Sequence, residues 1–324
     1  KYTQEMYGDS NYDNCSFAVV ENNDLLAIVV AIKELDQGKK IWKLSMAGFP
    51  SIYPAFANHL SAVKFKAVEK YIMERIFDFA DIDYYHFYVS PLTEHFLKGK
   101  IQVNPFLKFG FIETSITTNI INLKRNSESL FKLLSKGCRS DINFARKNNN
   151  LSISIIDENN YDKNITQEFQ NIHYAAAGRR TRKQSTWDLQ NKWLQNGHAI
   201  LGMSKINDKF ISGIFLNKYK QTAYYQVGAT DPKFSGERGI GHLLQWRIIE
   251  FLNTTGVNYY ELGWNWYPNF SQEIADNKML NISSFKRSFG GEIYPLFRGE
   301  KFKDYKLMKD IYKQRLDQLK SHYE

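Results

Sequence analysis

The spacing of apolar and polar residues divides most of the chain into strands and helices that occur in the same order twice. Short apolar runs bounded by turn residues indicate strands, and apolar residues at steps of three and four indicate helices. The first series has predicted strands at 15–20, 25–32 and 41–46, a helix at 58–80 and a strand at 84–89. The second has strands at 198–204, 210–216 and 222–229, a helix from Glu237 and a strand at 257–262. These elements predict a mixed α/β protein.

A displacement of 175 residues aligns the two series without a gap. It places residues 82–85 on 257–260, and Phe77 on Leu252. This self-similarity predicts an internal duplication. The predicted domains are an N-terminal lobe at 1–125, a connecting helix at 126–150, and a C-terminal lobe with a closing helix at 151–324.

A loop with three glycines precedes the long helix of the second series. Gly236, Gly239 and Gly241 stand at the start of that helix, where unpaired N–H groups and the helix dipole favour an anion. Their spacing fits neither a Walker sequence nor a GxGxxG motif, so a tight turn with close helix packing is the alternative interpretation. Lys64 and Lys66 align with Gly239 and Gly241 in the first series. Only the second lobe is therefore predicted to bind a cofactor.

Two further stretches are candidate walls of a ligand site. Trp264, Trp266 and Tyr267 follow the last strand of the second series, and aromatic residues at such a strand end can line a cleft. Core packing is the alternative. Arg139 and Arg146 belong to the basic side of 126–150, which is either a wall for a polyphosphate or a solvated face.

Composition and charge narrow the class of protein. With 43% apolar and 15% aromatic residues a disordered chain is excluded, and the longest apolar run, 25–32, is far shorter than the ~20 residues of a membrane span. No signal peptide is recognised, and two cysteines predict a reducing cytoplasm. A net charge of +9 favours polyanionic partners, or is simply a basic surface. Histidines without ligand spacing predict no metal, and the absence of helix-turn-helix or zinc patterns argues against DNA.

Three segments resemble a known superfamily. The strand, xxGxG loop, helix and strand around residues 236–241 resemble the acyl-coenzyme A site of GNAT-superfamily acyltransferases. Residues 139–147 (RSDINFARK) and 285–291 (FKRSFGG) are similar to the R-x-x-I-x-x-A-x-K and F-K-x-x-F-G-G segments of FemABX peptidyltransferases and their BioF2-like acyltransferase relatives. The resemblance covers roughly 58–297. The chain departs from it at Gly236, which stands where Gln or Arg is usual, and it has no heptad run for a coiled-coil arm.

The resemblance implies two tandem GNAT-like lobes, each a mixed, mainly antiparallel sheet flanked by helices. It also implies transfer of an acyl or aminoacyl group to an amine, without a metal or a covalent enzyme intermediate. By family analogy Lys286 is the cation that stabilises the oxyanion or the leaving group. Glu261, in a buried strand, is the predicted base, with Asp231 as the alternative. Tyr267 and Tyr225 are further candidates for the catalytic centre and for positioning the substrate.

The predicted site residues fall into two further sets. The predicted cofactor-binding residues are Val227, Ala229, Gly236, Arg238, Gly239, Ile240 and Gly241. Backbone N–H groups at 227–229 would hold the donor carbonyl, and Arg238 would replace the missing donor to the pyrophosphate. The predicted substrate-binding residues are Tyr225, Trp264, Trp266, Arg139 and Arg146.

Together these observations predict a cytoplasmic N-acyltransferase that uses acyl-CoA. Its predicted acceptor is an amino sugar or a nucleotide-linked amino sugar in surface-polysaccharide or cell-wall biosynthesis. Aminoacyl-tRNA-dependent transfer to a peptidoglycan precursor, with tRNA as partner, is the second hypothesis. A noncatalytic nucleotide-binding or nucleic-acid-binding module is the third. The basic charge is compatible with peripheral contact at the inner face of the membrane.

Overall fold

A computed structural model of the chain describes residues 12–36, 38–46, 49–79, 81–93, 96, 99, 101–268 and 275–320. Contacts within the chain divide these residues into two compact units. Unit I consists of residues 118–265 and 278–294, and unit II consists of the remaining described residues. The boundaries predicted at 125 and 150 concern the duplicated lobes and stay a prediction.

The elements confirm the mixed α/β class. The strands are β1 (Tyr12–Asn14), β2 (Phe17–Glu21), β3 (Asp24–Val29), β4 (Ile32–Asp36), β5 (Ile41–Met46), β6 (Phe49–Ile52), β7 (Ala55–Phe56), β8 (Tyr84–Tyr88), β9 (Ile112–Glu113), β10 (Ile116–Asn122), β11 (Leu151–Ile156), β12 (Ala199–Ile206), β13 (Lys209–Tyr219), β14 (Thr222–Thr230), β15 (Tyr259–Asn265), β16 (Glu292–Leu296) and β17 (Arg298–Phe302). The α-helices in the described ranges are α1 (Ala62–Phe77), α2 (Ser127–Leu133), α3 (Lys136–Ala145), α4 (Lys163–Ala177), α5 (Gln184–Gln195), α6 (Ile240–Thr254), α7 (Asn277–Arg287) and α8 (Tyr305–Lys320). None of these helices has both the length and the apolar character needed to cross a bilayer.

Unit I is built on one seven-stranded sheet with the order β11-β12-β13-β14-β15-β10-β16. Strands β11 to β14 are antiparallel neighbours, and β14 pairs with β15 in parallel. Ile200 of β12 packs in a core cluster with α2, α3 and α6, while Leu201 packs in a second cluster with α4 and α5. Because successive residues of a strand point to opposite faces, a strand covered on both faces has an almost continuous apolar sequence.

Unit II contains a seven-stranded sheet, β1-β4-β5-β6-β8-β17-β9, and a three-stranded sheet, β2-β3-β7. Helix α1 begins after Ser61, whose hydroxyl oxygen accepts the N–H of Lys64 at 3.2 Å, and it buries Ile72 and Ile76. The sequence pattern did not predict β17. This strand buries a charged residue, Arg298, so hydrophobic periodicity does not mark it.

Three local predictions are wrong. The stretch 126–150 holds two helices instead of one, because the chain is extended at Leu134 (ψ 148°) and Ser135 then caps α3 by accepting the N–H of Cys138. The sequence from Ser127 predicts a cap by that residue. Asn126 caps α2 instead, and its side-chain oxygen accepts the N–H of Ser129. Residues 185–188 (STWD) have the pattern of a capping box. This prediction also fails, since α5 begins one residue earlier and Ser185 lies within its first turn.

Candidate active site

Strands β14 and β15 separate in the middle of the unit I sheet. Their parallel pairing extends from Thr222 and Tyr259 only to Tyr224 and Glu261, although both strands continue beyond these residues. At the same level the pairing of β14 with β13 shifts, which leaves Gln226 as an extra residue in β14. Such a bulge bends a strand and increases its twist. The sheet therefore opens directly after Glu261.

Glu261 is a buried carboxyl group at this opening. Its side chain is among the buried ones, with 3% exposure, and its Oε1 lies 3.0 Å from the hydroxyl oxygen of Thr118 on β10. The same hydroxyl lies 2.9 Å from the carbonyl oxygen of Gly263. Because a hydroxyl has one proton, Thr118 can donate to only one of these oxygens at a time. Burial raises the pKa of Glu261 to about 7, while the Thr118 hydrogen bond and the charge of Lys286 oppose that rise.

Lys286 reaches the same region from the last turn of α7. Its Nζ lies 5.1 Å from the centre of the Tyr225 ring. Burial lowers the pKa of Lys286 to about 8, and the charge of Glu261 opposes that fall. Gly263 leaves room for the ammonium group, because a Cβ atom there would lie 2.9 Å from Nζ. The structure thus brings together three predicted residues, Lys286, Glu261 and Tyr225.

Tyr225 adds a phenol to this centre. Burial raises its pKa, so the hydroxyl keeps its proton and acts as a donor at neutral pH. A Cβ atom at Gly228 would lie 2.1 Å from the Tyr225 hydroxyl oxygen. The ring can hold its position only because residue 228 is glycine.

The glycine pair at the end of the FKRSFGG segment fixes the helix that carries Lys286. Gly290 and Gly291 have φ values of 71° and 84°. A Cβ atom on Gly290 would lie 2.6 Å from the carbonyl oxygen of Leu133, and one on Gly291 would lie 2.7 Å from that of Ile120. Both positions therefore need glycine for conformation and for close approach to the backbone.

Polar residues that the sequence analysis missed tie β10 to β15 and to the end of α7. The amide nitrogen of Asn265 donates to Asn119 Oδ1 at 2.7 Å, and the amide nitrogen of Asn119 donates to the carbonyl oxygen of Gly290 at 3.2 Å. Thr118 directly precedes Asn119 in β10 and so lies next to these hydrogen bonds. A single Thr or Asn inside a predicted strand gives no signal by itself, and the alignment of β10 beside β15 was needed to find them.

The glycine loop has a packing role that the sequence analysis gave as the alternative to phosphate binding. Gly239 precedes α6 with φ 78°, and a Cβ atom there would lie 2.2 Å from the carbonyl oxygen of Asp141 in α3. At Gly236 a Cβ atom would meet open space, and at Gly241 it would make an ordinary contact with Phe285. Close packing of α6 on α3 is therefore sufficient to require Gly239.

The other predicted cofactor-binding residues lie along β14 and the start of α6. The guanidinium of Arg238 donates to Asp141 Oδ1 at 2.8 Å and to Ser140 Oγ at 3.1 Å, and it stacks on Phe144. Ile240 and Ala229 are buried, and Val227 is half-buried against the core cluster of α4 and α5. Their contacts with a cofactor stay predictions.

The predicted substrate-binding arginines both have protein partners. Arg139 donates to the carbonyl oxygens of Lys132 and Leu134 at the end of α2. Arg146 stacks on Phe131 and lies 3.7 Å from Glu250.

The remaining candidates are divided between the two units. Asp231, the alternative base, accepts the N–H of Lys233 and lies 3.6 Å from the ammonium of Lys209. Trp264 is half-buried in β15, whereas Trp266 and Tyr267 belong to unit II. Their roles stay predictions. In the ranges that the structure describes, no group of three His, Cys, Asp or Glu side chains could hold a metal ion.

The chain is similar to a known protein family and to several solved structures. Residues 177–270 match the family model described as an acetyltransferase (GNAT) domain. No curated protein sequence matches the chain. The structure of FemX superposes with a TM-score of 0.61 at 13% identity, covering 93% of this chain and 91% of that chain.

Two further solved structures show the same fold. The C-terminal domain of a protein named as a lysylphosphatidylglycerol synthetase, from Agrobacterium fabrum, superposes with a TM-score of 0.59 at 13% identity and covers 94% of this chain and 88% of that chain. The structure of L-PGS from Bacillus licheniformis superposes with a TM-score of 0.58 at 11% identity and covers 93% of this chain and 87% of that chain. The predicted resemblance is confirmed for the fold: the chain has a FemABX-like tandem GNAT fold, and the match of residues 177–270 to an acetyltransferase (GNAT) domain supports the predicted class of a transferase that acts on amines.

Proposed function

We propose that this transferase moves an acyl group from acyl-CoA to the amine of an amino sugar or nucleotide-linked amino sugar in surface-polysaccharide or cell-wall biosynthesis. The observation that carries the proposal is the pair formed by the buried Glu261 and the half-buried Lys286 at the opening between β14 and β15. Burial brings the pKa values of the two groups to about 7 and about 8, so each can exchange a proton near neutral pH.

In the proposed reaction the acceptor enters as an ammonium ion and gives one proton to Glu261. The amine nitrogen then attacks the thioester carbonyl carbon, and the carbon–sulfur bond breaks. The leaving thiolate takes a proton from Lys286, and the second proton of the amine nitrogen returns to Lys286. Glu261 releases its proton to solvent. Lys286 also offers its positive charge to the developing oxyanion.

Thr118 suits this cycle because its hydroxyl has two partners within hydrogen-bond distance. When Glu261 is ionised, the hydroxyl donates to the carboxylate. When Glu261 is protonated, the hydroxyl can donate to the carbonyl oxygen of Gly263 and accept the proton of the carboxyl group. Both protonation states of Glu261 therefore keep a hydrogen-bond partner.

An aminoacyl-tRNA donor is the second candidate, and the packing of the glycine loop favours it. Gly239 packs closely against Asp141 of α3, and Arg238 donates a hydrogen bond to the same residue. The glycine loop therefore gives less support for binding of a coenzyme pyrophosphate. The net charge of +9 suits a polynucleotide. The acid–base roles of Glu261 and Lys286 are the same with either donor, because both reactions release the amine of an ammonium ion.

Release of coenzyme thiol from acetyl-CoA in the presence of an amino-sugar panel tests the first proposal. Transfer of label from aminoacyl-tRNA to the same acceptors tests the second. We expect Lys286→Ala to lower kcat by about 100-fold to 1000-fold, the usual size of an electrostatic contribution. Lys278→Ala, an exposed lysine on the same helix, is the matched control and should keep full activity. If neither acetyl-CoA nor aminoacyl-tRNA supported turnover, or if the Lys286 variant were as active as the control, both proposals would be contradicted.

A further inference from the structure

Unit II contains its own buried polar cluster, centred on the strand that corresponds to β15 in the duplication. The displacement of 175 residues that aligns the two series places His86 of β8 on Glu261. Strand β17 pairs with β8 and sets Glu300 opposite His86 and Arg298 opposite Tyr88. His86, Arg298 and Glu300 are 9%, 2% and 1% exposed. Charged residues at this depth need a compensating environment.

A cavity of about 140 Å³ lies beside this cluster, and four cationic side chains line it. They are Lys39, Lys43, Arg298 and Arg315, and one carboxylate, that of Glu300, lines the cavity with them. An engineered cavity of about 150 Å³ is large enough for benzene. This cavity is therefore large enough for a tetrahedral oxyanion, which has five heavy atoms.

The carboxylate of Glu300 cannot neutralise the cavity. Arg315 binds it in a bidentate manner, at 2.6 Å to Oε1 and 2.8 Å to Oε2. The hydroxyls of Tyr312 and Tyr84 donate to the same two oxygens at 2.6 Å and 2.8 Å. An ionised carboxylate has about four acceptor positions, so Glu300 is saturated. Its charge is directed mainly at Arg315.

The effect of the remaining cations is visible on their neighbours. The pKa of His86 is held well below its ordinary value by burial and then by the charges of Arg298, Arg315 and Lys43. The pKa of Lys39 is lowered by burial and by Lys43, while Asp36 opposes that effect. Burial is the larger cause of both shifts, and the neighbouring cations add to it, although Lys43 also forms an ion pair with Asp36. The cations that line the cavity therefore outnumber the carboxylates that face them.

Hydrogen-bond donors also face this space. Arg298 lies 3.1 Å from Nε2 of His86, and since a guanidinium can only donate, Nε2 accepts and the proton of the neutral ring is on Nδ1. Thr114 lines the cavity, is 2% exposed, and its hydroxyl has no hydrogen-bond partner in the part of the chain that the structure describes. A buried hydroxyl without a hydrogen-bond partner destabilises the fold, because it has given up its hydrogen bonds to water.

We infer that this cavity binds a small oxyanion, either free or as the phosphate group of a phosphomonoester. The guanidinium and ammonium groups supply charge-assisted hydrogen bonds, and the Thr114 hydroxyl gains the partner that it lacks. The site lies within unit II and does not depend on the function proposed for unit I. It would give the first copy of the duplication, which contains His86, a ligand of its own.

Calorimetric titration of the full-length chain with sodium sulfate, at constant ionic strength set with sodium chloride, tests the inference. Sulfate keeps the same charge across neutral pH, so its binding reports the protein alone. We expect saturable binding that weakens about tenfold in Lys39→Gln, which removes a cation at the exposed edge of the cavity. Lys66→Gln loses the same charge on the exposed side of α1 and should bind like the unchanged protein.

Thr114→Val is the second variant, since it removes the hydroxyl and keeps the shape. We expect it to fold as stably as the unchanged protein and to bind sulfate three- to tenfold more weakly. Glucosamine 6-phosphate distinguishes the sources: competition with sulfate assigns the site to a phosphomonoester, and no competition assigns it to the free anion. Absence of saturable sulfate binding, or equal affinity in the Lys39 and Lys66 variants, would overturn the inference.

Discussion

The two buried polar centres differ in how completely their carboxylates are hydrogen-bonded. Glu261 in unit I has one hydroxyl partner, Thr118, and burial raises its pKa to about 7. Glu300 in unit II is buried to a similar degree, but four hydrogen bonds from Arg315, Tyr312 and Tyr84 outweigh burial and lower its pKa. Burial alone therefore does not decide whether a carboxyl group titrates near neutral pH. The number and charge of its donors decide it.

This difference suggests different roles for the two glutamates. A carboxyl group whose pKa is close to the working pH can take up and release a proton during a reaction. A saturated carboxylate keeps its charge throughout and holds its partners in place. Glu261 therefore suits catalysis, and Glu300 suits the architecture of unit II.

The largest expected effect is on the reaction itself. Glu261→Gln removes the proton acceptor and keeps the shape, so we expect kcat/KM to fall by about 100-fold to 10,000-fold, the usual contribution of general base catalysis. In the unchanged protein kcat/KM should rise with pH through about 7, as Glu261 ionises, and fall above about 8, as Lys286 loses its proton. These limits belong to the interacting pair. Measured pH profiles check the prediction, and an unchanged acidic limb in the Gln variant would remove Glu261 from the mechanism.

The next effect is on stability and contrasts the two units directly. Glu300→Ala leaves the half-buried Arg315 beside other cations without its carboxylate partner, and removing one partner of a buried ion pair typically costs about 3–5 kcal/mol. Glu128→Ala breaks an exposed pair with Lys132 and should cost less than about 1 kcal/mol. Urea unfolding at pH 7 measures both. A loss at Glu300 no larger than that at Glu128 would show that the unit II network is not structural.

The sequence predicts much of this arrangement where the signal is local. The sequence pattern predicts a helix at 163–177, and α4 begins and ends at these residues because apolar spacing marks its buried face and Gly178, with φ 67°, marks its end. The FKRSFGG segment indicates Lys286, and the predicted buried strand at 257–262 indicates Glu261. Strand β17 was not found, because its buried residues are polar. Thr118 was not found either, because its partner Glu261 is 143 residues away in sequence.

The duplication also relates the two polar centres. The 175-residue displacement that aligns residues 82–85 with 257–260 aligns His86 with Glu261 one residue further along. A titratable residue at the same place in both copies, inside a buried strand, indicates two polar centres. Sheet neighbours from distant parts of the chain, β10 and β17, then give the two centres their different partners, and local patterns hold no information on these long-range pairings.

The third effect is the decrease in the free energy of unfolding that the proposed catalytic pair, Glu261 and Lys286, causes. Between pH 4.5 and about 7 the folded protein keeps the proton on Glu261 while the unfolded chain has released it, so the free energy of unfolding falls as pH rises through this window. At 1.36 kcal/mol per pKa unit, the full cost is about 3 kcal/mol.

Lys286 acts in the opposite direction. Between about pH 8 and 10.5 the folded protein has lost the proton that the unfolded chain keeps, so stability rises with pH there. The contribution of the pair to stability is therefore lowest between about pH 7 and 8. Glu261→Gln should remove the decline below pH 7 in chemical unfolding curves, and an identical pH dependence in both proteins would show that Glu261 does not titrate in this range.

The smallest effect tests whether the number of donors sets the difference between the two centres. Thr118→Val removes the hydroxyl whose hydrogen bond lowers the pKa of Glu261, so the acidic limb of kcat/KM should move about one unit upward. Tyr84→Phe removes one of four hydrogen bonds to Glu300 and should cost about 1 kcal/mol of stability without any change in that limb. The two variants each lose one hydroxyl group next to a buried glutamate, and they differ in how many donors remain. If Thr118→Val left the acidic limb in place, the pKa of Glu261 would be set by burial and Lys286 alone.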